Sequence, residues 1–296
     1  MNEAGRVCPL RYRYGAEALA SAPEQVADTL YVVGGLYGNS FALDAVEALA
    51  AAEPGLVRLV FNGDFNWFNV DDAGFAAINR RVLAHGAIAG NVEAELGVAG
   101  DEAGCGCAYP ASVDADTVAR SNRIHARLKA VAARHPDVVA ALERLPMFAR
   151  WRVGGLAVGV VHGDADSLAG WRFDPAELDD PANRGWVETT FARAKVSVFA
   201  GSHTCAAGLR EFDGGVVINN GAAGMGNAPG DGRGRITRIS TRPSPHAVSE
   251  GLQREGVHID AVPLCFEASA WQRAFLANWP AGSDAHVSYW ARVAGA

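Results

Sequence analysis

One repeated unit narrows what this chain can become more than any other feature. A short apolar run, rich in β-branched residues, stops abruptly at glycine and polar side chains. It occurs at Thr29–Val33 before Gly34-Gly35 and at Leu56–Phe61 before Asn62-Gly63-Asp64. It recurs at Ala87–Ala89 before Gly90-Asn91, and at Val196–Ala200 before Gly201-Ser202-His203. The stretch "FARWRVGGLAVGVVH" reads as a hairpin turning at Gly154-Gly155, with a second strand that ends at His162-Gly163-Asp164. Between the first three runs lie helix formers: "SFALDAVEALAAA", with Ser40 as the expected N-cap, and Asp72–Ala84. Strands alternating with helices predict parallel pairing under covering helices. The later half is richer in strands. "GLREFDGGVVINNGAAG" reads as two strands about a Gly-Gly turn, "GRITRIST" and "VHIDAVPL" as further strands, and "ASAWQRAFLANW" as a helix. Val118, Ile124, Leu128 and Val131 recur near helical spacing, and Pro136 interrupts them. The expected class is therefore α/β, a four-layer sandwich of two mixed β-sheets flanked by helices. A single domain over 1–296 is expected, with a helical cap insertion at about 112–147 and a C-terminal extension at about 243–296.

Composition excludes several function classes. With 49% hydrophobic residues and a mean hydropathy of +0.03, the chain can fill a core. A net charge of −7 argues against a nucleic-acid duplex as partner. No apolar run is long enough to span a bilayer, and the first residues lack a signal-peptide pattern, so neither a membrane nor secretion is expected. Five cysteines without regular spacing fit reduced thiols in a cytoplasm.

In α/β sheets, ligands bind beyond the carboxyl ends of the strands. Asp64, Asn91, His162 and His203 all follow such ends, so the topology can deliver them to one edge. Together they offer an oxygen and nitrogen cage for a divalent transition metal. Taken singly, each has a plainer reading: Asp64 as a turn former, Asn91 as a cap, either histidine as a satisfied core group, Cys205 as a small hydrophobe. Cys105-Gly106-Cys107 reads either as a structural or lid loop or as a two-ligand pair.

The order of these blocks resembles the calcineurin-like metallophosphoesterases, especially their compact bacterial phosphodiesterase and diadenosine-tetraphosphatase-like branch. Gly63-Asp64 is similar to the family's second block, Gly90-Asn91-Val92-Glu93 to the third, His162-Gly163 to the fourth, and Ser202-His203-Thr204-Cys205 to the last. "INNGAAG" (Ile218–Gly224) resembles the loop that follows, and the resemblance covers about Thr29 to Ser240. It implies that Asp64, Asn91, His162 and His203 hold a metal and carry catalysis, with Cys205 as a further candidate ligand. It also implies that Tyr37, Asn39, Asn66, Asn220 and Gly221 border a small phosphorylated substrate. The departures cluster. The family's first-block Asp falls on Gly35 and its His on Tyr37, the last His becomes Cys205, and the His after the Asn becomes Val92. One metal position keeps its ligands and the other loses three together.

The resemblance thus implies hydrolysis of a phosphodiester or phosphomonoester, with a metal-bound hydroxide as nucleophile. The site is partly degenerate, with one ion of Mn, Fe, Zn or Ni favoured and two conceivable. Two alternatives stand beside it: a silent scaffold of the same fold, and a redox or sensing role for Cys205 beside a metal.

Overall fold

The structure, a computed structural model, describes residues 3–296. Twelve strands form two six-stranded mixed sheets among these residues. The strands are β1 (Glu24–Ala27), β2 (Thr29–Val33), β3 (Val57–Phe61), β4 (Gly86–Ala87), β5 (Phe148–Val153) and β6 (Leu156–Val161). They continue with β7 (Val198–Gly201), β8 (Ala207–Glu211), β9 (Val216–Asn220), β10 (Gly234–Ser240), β11 (Glu250–Arg254) and β12 (Val257–Leu264). The first sheet has the order β1-β5-β6-β7-β9-β8 and the second β11-β12-β10-β2-β3-β4. The runs that end in polar loops pair in parallel, β2 with β3, β3 with β4 and β6 with β7. The glycine-turned pairs are antiparallel, with Val153 opposite Leu156 and Glu211 opposite Val216.

The period-two side-chain alternation of strands assigns the layers. Leu30, Val32 and Val60 of the second sheet meet Val158, Val160, Val198 and Ile218 of the first in a core between the sheets. The intervening residues Tyr31, Val33, Leu59 and Phe61 face outward. They pack with α2 (Ser40–Ala51), α3 (Asp72–Val82), α5 (Ala115–Ala132), α9 (Ala268–Asn278) and α10 (Asp284–Ala294). The far face of the first sheet packs with α1 (Ala16–Ala20), α7 (Pro175–Asp179) and α8 (Pro181–Ala194). The result is helix, sheet, sheet, helix. No helix of the described residues is long and apolar enough to cross a membrane.

The details differ from the expectations in places. Asn39, not Ser40, caps α2, its Oδ1 accepting from the Ala42 N–H at 3.0 Å. α5 and α6 (Pro136–Leu142) are helical, but they pack on α3, α10 and α4 (Asn91–Leu96). The segment that reaches over the strand ends is the loop 103–109 instead. The region after 243 is built into the body: β11 and β12 extend the second sheet, and α9 and α10 complete the outer layer.

Candidate metal centre

β3 ends at Phe61 and the chain turns sharply through Asn62-Gly63-Asp64. Gly63 is required there. Its φ is +95°, and a Cβ would lie 2.5 Å from the Gly90 backbone and 2.6 Å from His162 Nδ1. The Glu93 carboxylate, in the first turn of α4 (Asn91–Leu96), holds this turn from below. It accepts N–H bonds from Asp64 (2.8 Å), Phe65 (3.1 Å), Asn66 (3.3 Å) and Gly90 (3.2 Å). Glu93 thereby satisfies backbone donors of both strand-end loops.

Asp64 and Asn91 follow β3 and β4 of the second sheet, whereas His162 and His203 follow β6 and β7 of the first. They meet across the gap between the sheets. His162 Nε2 is 3.0 Å from Asn91 Oδ1, 3.1 Å from His203 Nδ1 and 3.4 Å from Asp64 Oδ1. The ligand atoms of Asp64, His162 and His203 all lie within 4.8 Å of one another.

The partners fix which lone pairs face inward. His162 Nδ1 is 2.8 Å from the Asn62 carbonyl and His203 Nε2 is 3.0 Å from the Cys107 carbonyl. A carbonyl only accepts, so those nitrogens carry the protons, and His162 Nε2 and His203 Nδ1 are left as acceptors. Asn91 Nδ2 donates to the Cys105 carbonyl at 2.8 Å, which turns Asn91 Oδ1 inward. Four acceptors thus converge with no donor among them, an arrangement that repels itself and that a cation relieves. The mix of imidazole, carboxylate and amide oxygen fits a divalent transition metal, and backbone carbonyls orient three of the four groups from outside.

Burial pushes His162 down to about 4 and His203 to about 3, so both are neutral at ordinary pH, the form in which imidazole can bind a metal. Burial pushes Asp64 up to about 7, against the lowering effect of the Val92 N–H. Glu93 is likewise raised to about 7, by burial and then by the neighbouring Asp64 charge. A cation among these four acceptors would oppose the rise at Asp64.

A different arrangement holds at the second position. The Tyr37 ring covers Gly35 so closely that a Cβ there would lie 2.8 Å from Tyr37 Cζ and 2.9 Å from its hydroxyl. The hydroxyl is 2.7 Å from Cys205 Sγ. Burial raises both the phenol and the thiol, so this pair is neutral and fills the space with a ring. Tyr37, Asp64 and Cys205 all have left-handed backbone, with φ of +53°, +55° and +56°. Non-glycine residues held this way cost on the order of 1–2 kcal/mol each.

Tyr37, Asp64, Asn91, His203 and Cys205 line one cavity of about 140 Å³, and His162 lies just beneath it. The structure does not bring Asn39, Asn66, Asn220 and Gly221 to that cavity. Asn39 caps α2 and donates to the Gly224 carbonyl. Asn66 locks amide to amide with Asn79 at 2.8 and 3.1 Å. Asn220 Nδ2 ties Gly34 to Arg235 through their carbonyls. Gly221, with φ of +73°, has no room for a Cβ beside Asn227. The side chains of Asn39 and Asn220 satisfy backbone groups around the strand ends and that of Asn66 bonds Asn79 and Glu93, which uses up the donors a substrate would need.

Sequence reasoning missed the outer walls. Trp67, Tyr109, Trp171 and Tyr289 line the same cavity. Cys105 and Cys107 contribute backbone carbonyls, from a loop with left-handed residues at Gly104, Gly106 and Ala108. The alternating glycines of "AGCGCA" were the available signal for so tight a path.

No protein-family model and no curated protein matches this sequence. Solved structures do match. A metallophosphoesterase from Sphaerobacter thermophilus superposes with a TM-score of 0.54 at 16% identity, covering 90% of this chain and 100% of its own. A hypothetical protein from Pyrococcus horikoshii superposes at 0.58 and 12% identity, covering 89% and 98%. This chain therefore shares the fold of these two structures, the four-layer α/β sandwich of two mixed sheets that the sequence pattern anticipated.

Proposed function

We propose that this chain hydrolyses phosphate esters with one divalent transition-metal ion, Mn, Fe, Zn or Ni, held by Asp64, Asn91, His162 and His203. The observation that carries the reading is the convergence of four buried acceptors with no donor among them. A bound divalent ion supplies Lewis-acid polarisation of a phosphoryl oxygen and acidifies a coordinated water. The rest falls to the protein. Asp64 provides the anionic ligand and shares the cavity floor with His203. The Tyr37 hydroxyl, kept protonated by burial, presents a neutral hydrogen-bond donor where relatives would place further ligands. The surrounding rings exclude water and strengthen each polar contact inside.

The test measures metal stoichiometry and turnover together on the purified chain. Wild type should carry about one ion per chain and hydrolyse activated phosphate esters. Asp64→Asn should stop turnover while leaving the fold intact. The neutral Tyr37–Cys205 pair favours a second reading, a metal-carrying fold without catalysis. That reading prevails if the wild-type chain holds its ion yet turns over no monoester, diester or dinucleotide with any of the four metals.

A further inference from the structure

We infer that the cavity selects phosphodiesters bearing a planar aromatic substituent and rejects dianionic phosphomonoesters. This rests on the metal-assisted phosphate-ester reading above and specifies its substrate class.

Charge is the first observation. The lining contains neither lysine nor arginine, and its one carboxylate is Asp64. Arg292 lies behind Cys205, with its guanidinium donating to the carbonyls of Cys205 and Gly226 at 3.2 and 2.7 Å. One divalent ion and the Asp64 carboxylate sum to a single positive charge. A diester carries one negative charge and is neutralised. A monoester dianion leaves one negative charge uncompensated in a largely buried site, which is costly.

Shape is the second. Two aromatic pairs from four separate elements line the cavity. Tyr109 of the glycine loop meets Trp171 beyond β6 with ring centroids 5.8 Å apart, and Trp67 beyond β3 meets Tyr289 of α10 at 6.4 Å. Trp171 also packs against the His203 ring at 5.2 Å, so one wall touches a metal-ligating side chain. Trp171, Tyr109 and Tyr289 are only partly buried, which leaves ring surface facing the opening. Such surface gains from covering another flat apolar ring, independently of any hydrogen-bond pattern. A substituent on the phosphorus beside His203 lies within reach of these walls.

The test is calorimetric binding to the Mn-loaded protein at pH 8. Diphenyl phosphate, dimethyl phosphate and phenyl phosphate are compared. Diphenyl phosphate should bind about tenfold more tightly than either of the others, one lacking rings and the other carrying the second charge. Trp171→Ala and Tyr289→Ala should each erase most of the advantage over dimethyl phosphate. Trp171→Phe, which keeps a ring but loses the N–H bonded to the Cys107 carbonyl, should retain it. Phenyl phosphate binding as tightly as diphenyl phosphate overturns the inference, as does an unchanged preference in both alanine variants. The readout is separate from turnover. Discriminating binding without hydrolysis of any ester sinks the catalytic reading alone, whereas hydrolysis with a monoester preference sinks this inference alone.

Discussion

Replacing Gly35 with aspartate restores the residue that the resemblance places at the vacated position, and the structure says what that costs. The new Cβ would lie 2.8 Å from Tyr37 Cζ and 2.9 Å from both Cε2 and the hydroxyl, closer than real Cβ contacts allow. The φ of +64° adds strain for any residue with a Cβ. Backbone strain of about 1–2 kcal/mol and overpacking of about 1–3 kcal/mol give a destabilisation of about 2–5 kcal/mol for Gly35→Asp alone. Tyr37→His in the same chain replaces the phenol ring, whose far end makes the clash, with the shorter imidazole, and histidine tolerates a left-handed backbone better than tyrosine does. The double variant should therefore recover about 1–3 kcal/mol, a non-additivity expected of touching residues. Urea unfolding in EDTA measures both values, and elemental analysis follows the metal. Adding Cys205→His should raise the metal content from about one ion per chain to about two and speed hydrolysis. The reasoning fails if Gly35→Asp alone is as stable as wild type, or if it binds a second ion with Tyr37 in place. A wild-type chain that already holds two ions would refute it equally.

Three further outcomes follow from the same geometry. His162→Ala and His203→Ala should each strip most of the bound metal, by elemental analysis after gel filtration, because each removes one of four protein ligands; unchanged stoichiometry in both would contradict the site. Glu93→Ala should lower stability by about 3–5 kcal/mol in urea unfolding, since it leaves four backbone N–H groups of two loops without their acceptor; a loss under 1 kcal/mol would refute the anchoring role. His125 is buried with Nε2 3.1 Å from the Val92 carbonyl, and burial lowers it to about 4 from the usual value near 6.5. Its neutral form is the folded one, so its contribution is full above pH 6.5 and declines as pH falls toward 4. The metal-free chain should then lose about 2 kcal/mol from this residue between pH 7.5 and 5, and His125→Gln should abolish that part of the loss. An equal acid slope in the two chains would exclude it.

Much of the scaffold was legible because its central strands read as short apolar runs that stop before glycine, as in the fully buried "TLYVV" and in "LVRLVF", interrupted only by exposed Arg58. The four converging side chains were legible for the same reason, each sitting one to three residues past such a run. β1 escaped because an edge strand with three exposed residues out of four carries no apolar pattern. α10 escaped because its buried face is sparse, only Ala285 and Val293 being fully covered, yet it delivers Tyr289 to the cavity and Arg292 behind Cys205. The roles of Cys105 and Cys107 could not be read from side-chain chemistry, since their carbonyls orient Asn91 and His203. Asn39 and Asn220 show the converse: polar residues at strand ends are also what the backbone needs to close its own loops.

That two of the four converging side chains come from each sheet has a mechanical consequence. An ion held as proposed, by Asp64 and Asn91 on one side and His162 and His203 on the other, would act as a rivet through the middle of the sandwich, cross-linking segments about a hundred residues apart in sequence. Pulling the sheets apart then means breaking coordinate bonds as well as peeling Leu30, Val32 and Val60 from Val158 and Val160. Amide exchange in β3 and β6 should slow in concert on loading, and the force needed to shear the two halves should rise, so that metal supply sets how long the folded molecule survives under load.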